Sequence, residues 1–71
     1  MNSNIKKQLA QRIIKLRKAK GLSQEEFAFI AKIDRSYMSR IERGIVSAGI
    51  EKIEQIATTL DLKVHELLKF D

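Results

Sequence analysis

The stretch that decides the fold is Ser23-Gln24-Glu25-Glu26-Phe27-Ala28, with Asp34-Arg35-Ser36-Tyr37-Met38-Ser39-Arg40-Ile41-Glu42-Arg43-Gly44 close behind it. Ser23 and Glu26 have the spacing of a capping box, in which each side chain bonds the other residue's backbone N–H. They open a short helix of about two turns, with Phe27, Ala28 and Ala31 facing inward, that stops near Lys32. Asp34 is a good N-cap for a second short helix. Ile33, just before it, is placed to pack back onto Met38. Gly44 closes this helix. A turn of about three residues between two short helices is the spacing of a helix-turn-helix.

The second of these helices divides into two faces. With Arg35 at zero and about 100° per residue, Arg35, Ser36, Ser39, Arg40 and Arg43 fall between about 0° and 140°. Met38, Ile41 and Asp34 fall near 240–300°, and Tyr37 lies at the margin near 200°. One face can seal a core and the other carries only arginine and serine. That outward face suits the DNA major groove, which admits a helix and where Arg donates two hydrogen bonds to guanine O6 and N7. Base edges are reached mainly from the helix N-terminus. Arg35, Ser36 and Ser39 are therefore the expected base readers, with Arg40 behind them. Arg43, about 12 Å further along at 1.5 Å per residue, is expected on phosphate. Gln24, at the N-terminus of the preceding helix with its free N–H groups, is expected on phosphate as well. Tyr37 either donates its hydroxyl to DNA or serves as a half-buried packing ring.

Outward from this pair, the rest of the chain also reads as helix. Ile5, Leu9, Ile13 and Leu16 make one stripe of a first helix that ends at Gly21. Ile50, Ile53, Ile56, Ala57 and Leu60 make the stripe of a fourth, with Ser47 and Gly49 as alternative caps. Leu62 and Val64 lead into a short last helix with Leu67, Leu68 and Phe70. Proline is absent and glycine occurs only at positions 21, 44 and 49. No alternating strand pattern competes, so the expectation is an all-α, five-helix domain spanning residues 1–71.

Composition agrees with a small cytoplasmic, anion-binding domain. A chain of 71 residues buries only about 60% of its unfolded surface, and with no cysteine it lacks disulfides and thiolate metal sites. Oligomerisation is the remaining common support for so small a core. Fourteen Lys and Arg against nine Asp and Glu give a net charge of +5, which favours an anionic partner, nucleic acid first and membrane surface second. No apolar run approaches the ~18 residues of a membrane span, and no signal-peptide core is visible.

Gly21-Leu22-Ser23-Gln24-Glu25-Glu26-Phe27-Ala28, Tyr37-Met38-Ser39-Arg40-Ile41-Glu42-Arg43-Gly44, Ile53-Glu54-Gln55-Ile56-Ala57 and Val64-His65-Glu66-Leu67-Leu68 resemble the Xre family. These are the helix-turn-helix domains of Cro and lambda-type repressors, and the resemblance runs from about Leu9 to Leu68. The recognition helix looks closest to the controller proteins of restriction–modification systems, stand-alone dimeric regulators of this length. The resemblance implies a lambda-repressor-like fold and an ion pair between Arg17 and Glu42, with Arg17 also turned towards phosphate. Departures are Ile45 and Val46 where the family is often polar, Ala48-Gly49 where a Pro-Ser pair often starts the fourth helix, and the apolar Ile14, Phe29 and Ile30. These extra apolar residues either thicken the core or mark a contact surface.

The leading functional expectation is a homodimeric regulator reading an inverted repeat in double-stranded DNA. Its dimer surface is expected on Leu62, Val64, Leu67, Leu68 and Phe70. The second is an antitoxin-type interaction module that also binds DNA, for which a toxin-binding extension beyond Asp71 is expected and none is apparent. An enzyme finds no support. His65 is the single histidine, it has no metal-ligand partner, and no Gly-rich phosphate loop occurs. No cofactor, small-molecule effector or membrane partner is expected.

Overall fold

The computed structural model describes residues 5–70. Among them lie five helices and no strand: α1 (Ile5–Ala19), α2 (Gln24–Ala31), α3 (Arg35–Glu42), α4 (Ile50–Thr59) and α5 (Val64–Leu67). Five side chains are sealed completely, and each comes from a different helix: Ile13, Phe27, Met38, Ile56 and Leu67. The core is thus the meeting point of all five elements, which is how so short a chain gathers enough apolar contact.

Two expected stripe positions fall outside this core. Ile5 is 59% exposed and Ile50 is 69% exposed. Both open their helices, where the apolar row has run past the neighbouring elements. Ala10 and Arg17 are buried on the inward side of α1 instead, with Leu9 and Leu16 only partly buried beside them. The polar–apolar period located that face but overshot at its N-terminal end.

Local chemistry sets the helix ends. The Ser23–Glu26 capping box is complete: Glu26 N donates to Ser23 Oγ at 3.0 Å, and Ser23 N donates to Glu26 Oε1 at 2.8 Å. Helix α2 stops at Lys32, which takes a left-handed conformation (φ 62°). Ile33 N then donates to Ala28 O at 2.9 Å. This puts Ile33 in the core and turns the chain into α3 within three residues. Gly44 follows α3 with φ 73°, and a Cβ there would lie 3.1 Å from Lys7 Cγ. Both the backbone angle and the approach of α1 favour glycine there. Gly49 caps α4 with no side-chain hydrogen bond, so Ser47 does not serve as that cap.

Helix α5 is shorter than its apolar residues suggest. It ends at Leu67, so Leu68 and Phe70 lie beyond it. Arg12 closes its C-terminal end, donating from Nε to Leu67 O at 2.8 Å and from Nη2 to Glu66 O at 2.7 Å. Glu66 O also accepts from Lys69 N at 3.3 Å, whereas Leu67 O has no intrahelical partner and α1 supplies one. Leu67 itself is wholly buried, and Leu62 and Val64 pack against the core. Leu67 therefore cannot line the expected dimer surface. Leu68, 37% exposed, and the half-buried Phe70 remain outside the core cluster.

Candidate nucleic-acid interface

The outward face of α3 is polar along its length. Arg35, Ser36, Arg40 and Arg43 are exposed and Ser39 is half-buried. Met38 and Ile41 hold the opposite face in the core. A shallow groove between the start of α2 and α3 is lined by Gln24, Asp34, Arg35, Ser36 and Ser39. The fold therefore brings together three of the expected base readers and one expected phosphate contact. Arg40 and Arg43 stand further along the helix.

Two of these side chains, Arg40 and Ser36, are held by neighbours. The Arg40 guanidinium carbon sits 5.9 Å from the centroid of the half-buried Tyr37 ring, within cation–π range. Tyr37 packs partly on the core, so a fixed ring directs Arg40. At the start of α3 the Asp34 carboxylate accepts, all on Oδ2, from Ser36 N at 3.1 Å, from Tyr37 N at 3.3 Å and from the Ser36 hydroxyl. The bond from the Ser36 hydroxyl, followed by that from Tyr37 N–H, holds the Asp34 carboxyl below its ordinary range.

Beneath the groove lies a buried network. Arg17 Nε donates to Glu42 Oε2 at 2.7 Å and Nη2 to Glu42 Oε1 at 3.0 Å, a bidentate pair. Arg17 Nη1 donates to Leu22 O at 2.9 Å. Gln24 Nε2 donates to the same Glu42 Oε1 at 3.1 Å. One carboxylate thus ties α1, the start of α2 and the end of α3. Arg17 is 8% exposed with all three nitrogens engaged. It is not presented to phosphate, contrary to expectation; it acts on the surface by holding Glu42, which in turn holds Gln24.

Several of these contacts were not read from the sequence. Arg12 looks like one more basic residue, and nothing in its spacing marks it as the cap of a helix more than fifty residues away. The Gln24–Glu42 bond and the Arg40–Tyr37 stack are likewise tertiary or rotameric. The Asp34–Ser36 bond did have a signal, since an N-cap Asp commonly accepts from the residue two positions on.

A buried, bidentate Arg–Glu pair beneath a polar α3, reached by a tight turn from a capped α2, defines a helix-turn-helix domain of the lambda-repressor type. The chain belongs to the helix-turn-helix family, which matches residues 13–67. Control protein C.BamHI of Bacillus amyloliquefaciens is 35% identical over 71 residues, covering 99% of this chain and 88% of that one. The crystal structure of the restriction–modification controller protein C.AhdI from Aeromonas hydrophila superposes with a TM-score of 0.83 at 44% identity, covering 87% and 94% of the two chains. The structure of SinR, the master regulator for biofilm formation, in complex with DNA gives 0.81 at 40% identity, covering 86% and 98%. Among the described residues no helix is long and apolar enough to cross a membrane.

Proposed function

We propose that this protein is a sequence-specific, double-stranded-DNA-binding transcriptional regulator of the controller-protein kind, acting as a homodimer in the cytoplasm. The observation that carries this reading is the outward face of α3, with exposed Arg35, Ser36, Arg40 and Arg43 on a helix whose other face is locked in the core. Arg35, Ser36 and Ser39 lie in the groove and read base edges; Arg40 does so further along. Gln24, Tyr37 and Arg43 contact the backbone, which supplies affinity without sequence information. The likeness to control proteins and to a DNA-bound regulator supports the same reading.

Each subunit reads one half-site, with half-site centres about 34–36 Å apart. Leu68 and Phe70, apolar and outside the core cluster, form the dimer contact together with the outer edges of Leu62 and Val64. The mechanism is occupancy: a dimer near a promoter blocks or recruits polymerase according to where its operator lies.

The test is selection of bound sequences from a randomised duplex pool by the purified protein. An enriched inverted repeat is expected. Salt-sensitive binding to all duplexes alike, with no enriched sequence, refutes sequence-specific reading. Sedimentation of Leu68→Glu checks the dimer face, because this exposed site tolerates the change without loss of the core. A variant that remains fully dimeric removes Leu68 from the contact.

A further inference from the structure

The start of α3 carries a chemical asymmetry that the arginine face conceals. The Ser36 hydroxyl has one proton, and it is donated to Asp34 Oδ2. A hydroxyl bond to a carboxylate is charge-assisted and roughly twice as strong as a neutral one. Asp34 cannot swing away with it, because the backbone N–H groups of Ser36 and Tyr37 hold the same oxygen at 3.1 and 3.3 Å. What Ser36 offers outward is therefore lone pairs only. All three bonds fall on Oδ2, and Asp34 Oδ1 has no hydrogen-bond partner among the described residues. Both residues line the groove beside Arg35.

Resting on the DNA-binding reading above, we infer that Asp34 and Ser36 form an acceptor-only corner of the interface that selects a base bearing an exocyclic amine, cytosine N4 or adenine N6. In the major groove these amines are the only hydrogen-bond donors. Guanine O6 and N7, thymine O4 and adenine N7 are all acceptors. A free serine accepts or donates and discriminates little. A serine whose proton is committed repels a carbonyl oxygen and welcomes an amine. Asp34, which the hydrophobic pattern assigns only to capping, becomes a specificity determinant, both directly through Oδ1 and as the residue that positions the Ser36 proton. The carboxylate also keeps this corner off the phosphates, leaving Arg35 to read an acceptor-rich guanine next to an amine-bearing neighbour.

The experiment starts from the half-site enriched in the duplex selection. Each adenine is replaced in turn by purine and each cytosine by 2-pyrimidinone, which deletes only the amine. Wild type, Ser36→Ala and Asp34→Asn are titrated against each duplex by fluorescence anisotropy at one salt concentration. Asn caps helices as well as Asp, and circular dichroism melting verifies that both variants are folded. At one base wild type is expected to lose roughly tenfold in affinity, the worth of one hydrogen bond. Ser36→Ala is expected to bind the intact duplex correspondingly less well and to lose little more when that amine is removed. Asp34→Asn supplies an amide donor and a weaker hold on the Ser36 proton, and its penalty is expected to shrink to below about threefold. The base at which this happens tells an adenine reader from a cytosine reader. Tolerance of every amine deletion by wild type, or a penalty undiminished in both variants, overturns the inference while the regulator reading stands. Failure to enrich any duplex overturns that reading instead, and this inference with it.

Discussion

Replacing Glu42 by Gln gives the sharpest test of how the domain holds its recognition helix. The change keeps shape and an acceptor oxygen but removes the charge facing Arg17. The guanidinium side chain is 10% exposed and the carboxylate side chain 4%, so neither can turn to water. Its remaining partner would be the Leu22 carbonyl and a neutral amide. Breaking one side of a buried ion pair typically costs about 3–5 kcal/mol. At about 0.05–0.15 kcal/mol per residue, a chain of 71 residues has only about 4–11 kcal/mol in total. The single change therefore removes a large share of its stability. Urea denaturation followed by circular dichroism should show a midpoint lowered by about half, with an unchanged slope. In a domain of this size, thermal melting should fall by roughly 12–24 °C for a loss of about 3 kcal/mol.

The double variant Arg17→Met, Glu42→Met, measured beside the single changes Arg17→Met and Glu42→Met, decides the cause. If the single-site loss comes from stranding a buried charge, removing both charges restores stability to within about 1 kcal/mol of wild type or beyond it. The interaction energy of the cycle is then several kcal/mol. A double variant that costs the sum of the two single changes would refute the reasoning. Its losses would then reflect packing alone, and the pair would behave as two separate charges.

Three further outcomes are expected. Lys32→Gly relieves a left-handed conformation that costs a side-chain-bearing residue roughly 1–2 kcal/mol, offset by about 0.5–1 kcal/mol of glycine chain entropy; melting should rise by a few degrees, and a fall would show that the Lys32 side chain itself contributes. The Asp34 carboxyl is lowered by the Ser36 hydroxyl and then by Tyr37 N–H, and Glu26 by Ser23 N–H and then by the Ser23 hydroxyl; groups depressed in the folded state add stability above their unfolded values near 4 and lose it as pH falls through the folded values. Denaturation midpoints should therefore drop below about pH 4, and the combined Asp34→Asn, Glu26→Gln variant should show a flatter acid limb; identical limbs would contradict this. Arg35→Ala should cost about 1–3 kcal/mol on the selected operator and relax one base position, whereas Arg43→Ala should weaken all duplexes alike and lower the salt slope by about one; the reverse pattern would exchange their roles.

The fold was legible because its signals are local. Ser23 with Glu26, Asp34 before a helix and Gly44 after one each rest on backbone groups a few residues away. Where the sequence misled, the cause was tertiary. Leu67 and Leu68 are adjacent and equally apolar, yet one is sealed and the other is 37% exposed, because α5 stops between them. Nothing in the hydrophobic pattern indicates that Arg12 closes that helix from α1. Nor does charge distinguish Arg17, buried and fully engaged, from Arg12, Lys15 and Lys18 around it; that pairing came from family resemblance. Ile50 and Ile5 fit their stripes yet lie at helix starts, beyond the reach of the other elements. Phe29, 84% exposed, shows that the apolar departure from the family at this position does not thicken the core.

The interface gains its order from the core beneath it. A reading face made of arginine and serine would lose about 0.5–1.5 kcal/mol of freedom for each long side chain fixed on DNA. Here much of that fixing is done before binding. Tyr37, seated on the core, directs Arg40; Asp34, held by two backbone N–H groups, directs Ser36; Glu42, held by Arg17, directs Gln24. Three outward side chains, Arg40, Ser36 and Gln24, thus lean on ones that folding has already immobilised. Glu42, buried beneath the proposed DNA face, is the member that links it to the folding network. Its replacement should therefore weaken binding to operator and nonspecific duplexes alike through the released Gln24 backbone contact, even at temperatures where the variant remains folded. Gln24→Ala should reproduce that binding loss without the stability loss, because Gln24 contributes only one of the bonds that Glu42 accepts. Equal stability losses in the two variants would mean that the amide bond, rather than the Arg17 ion pair, anchors the carboxylate.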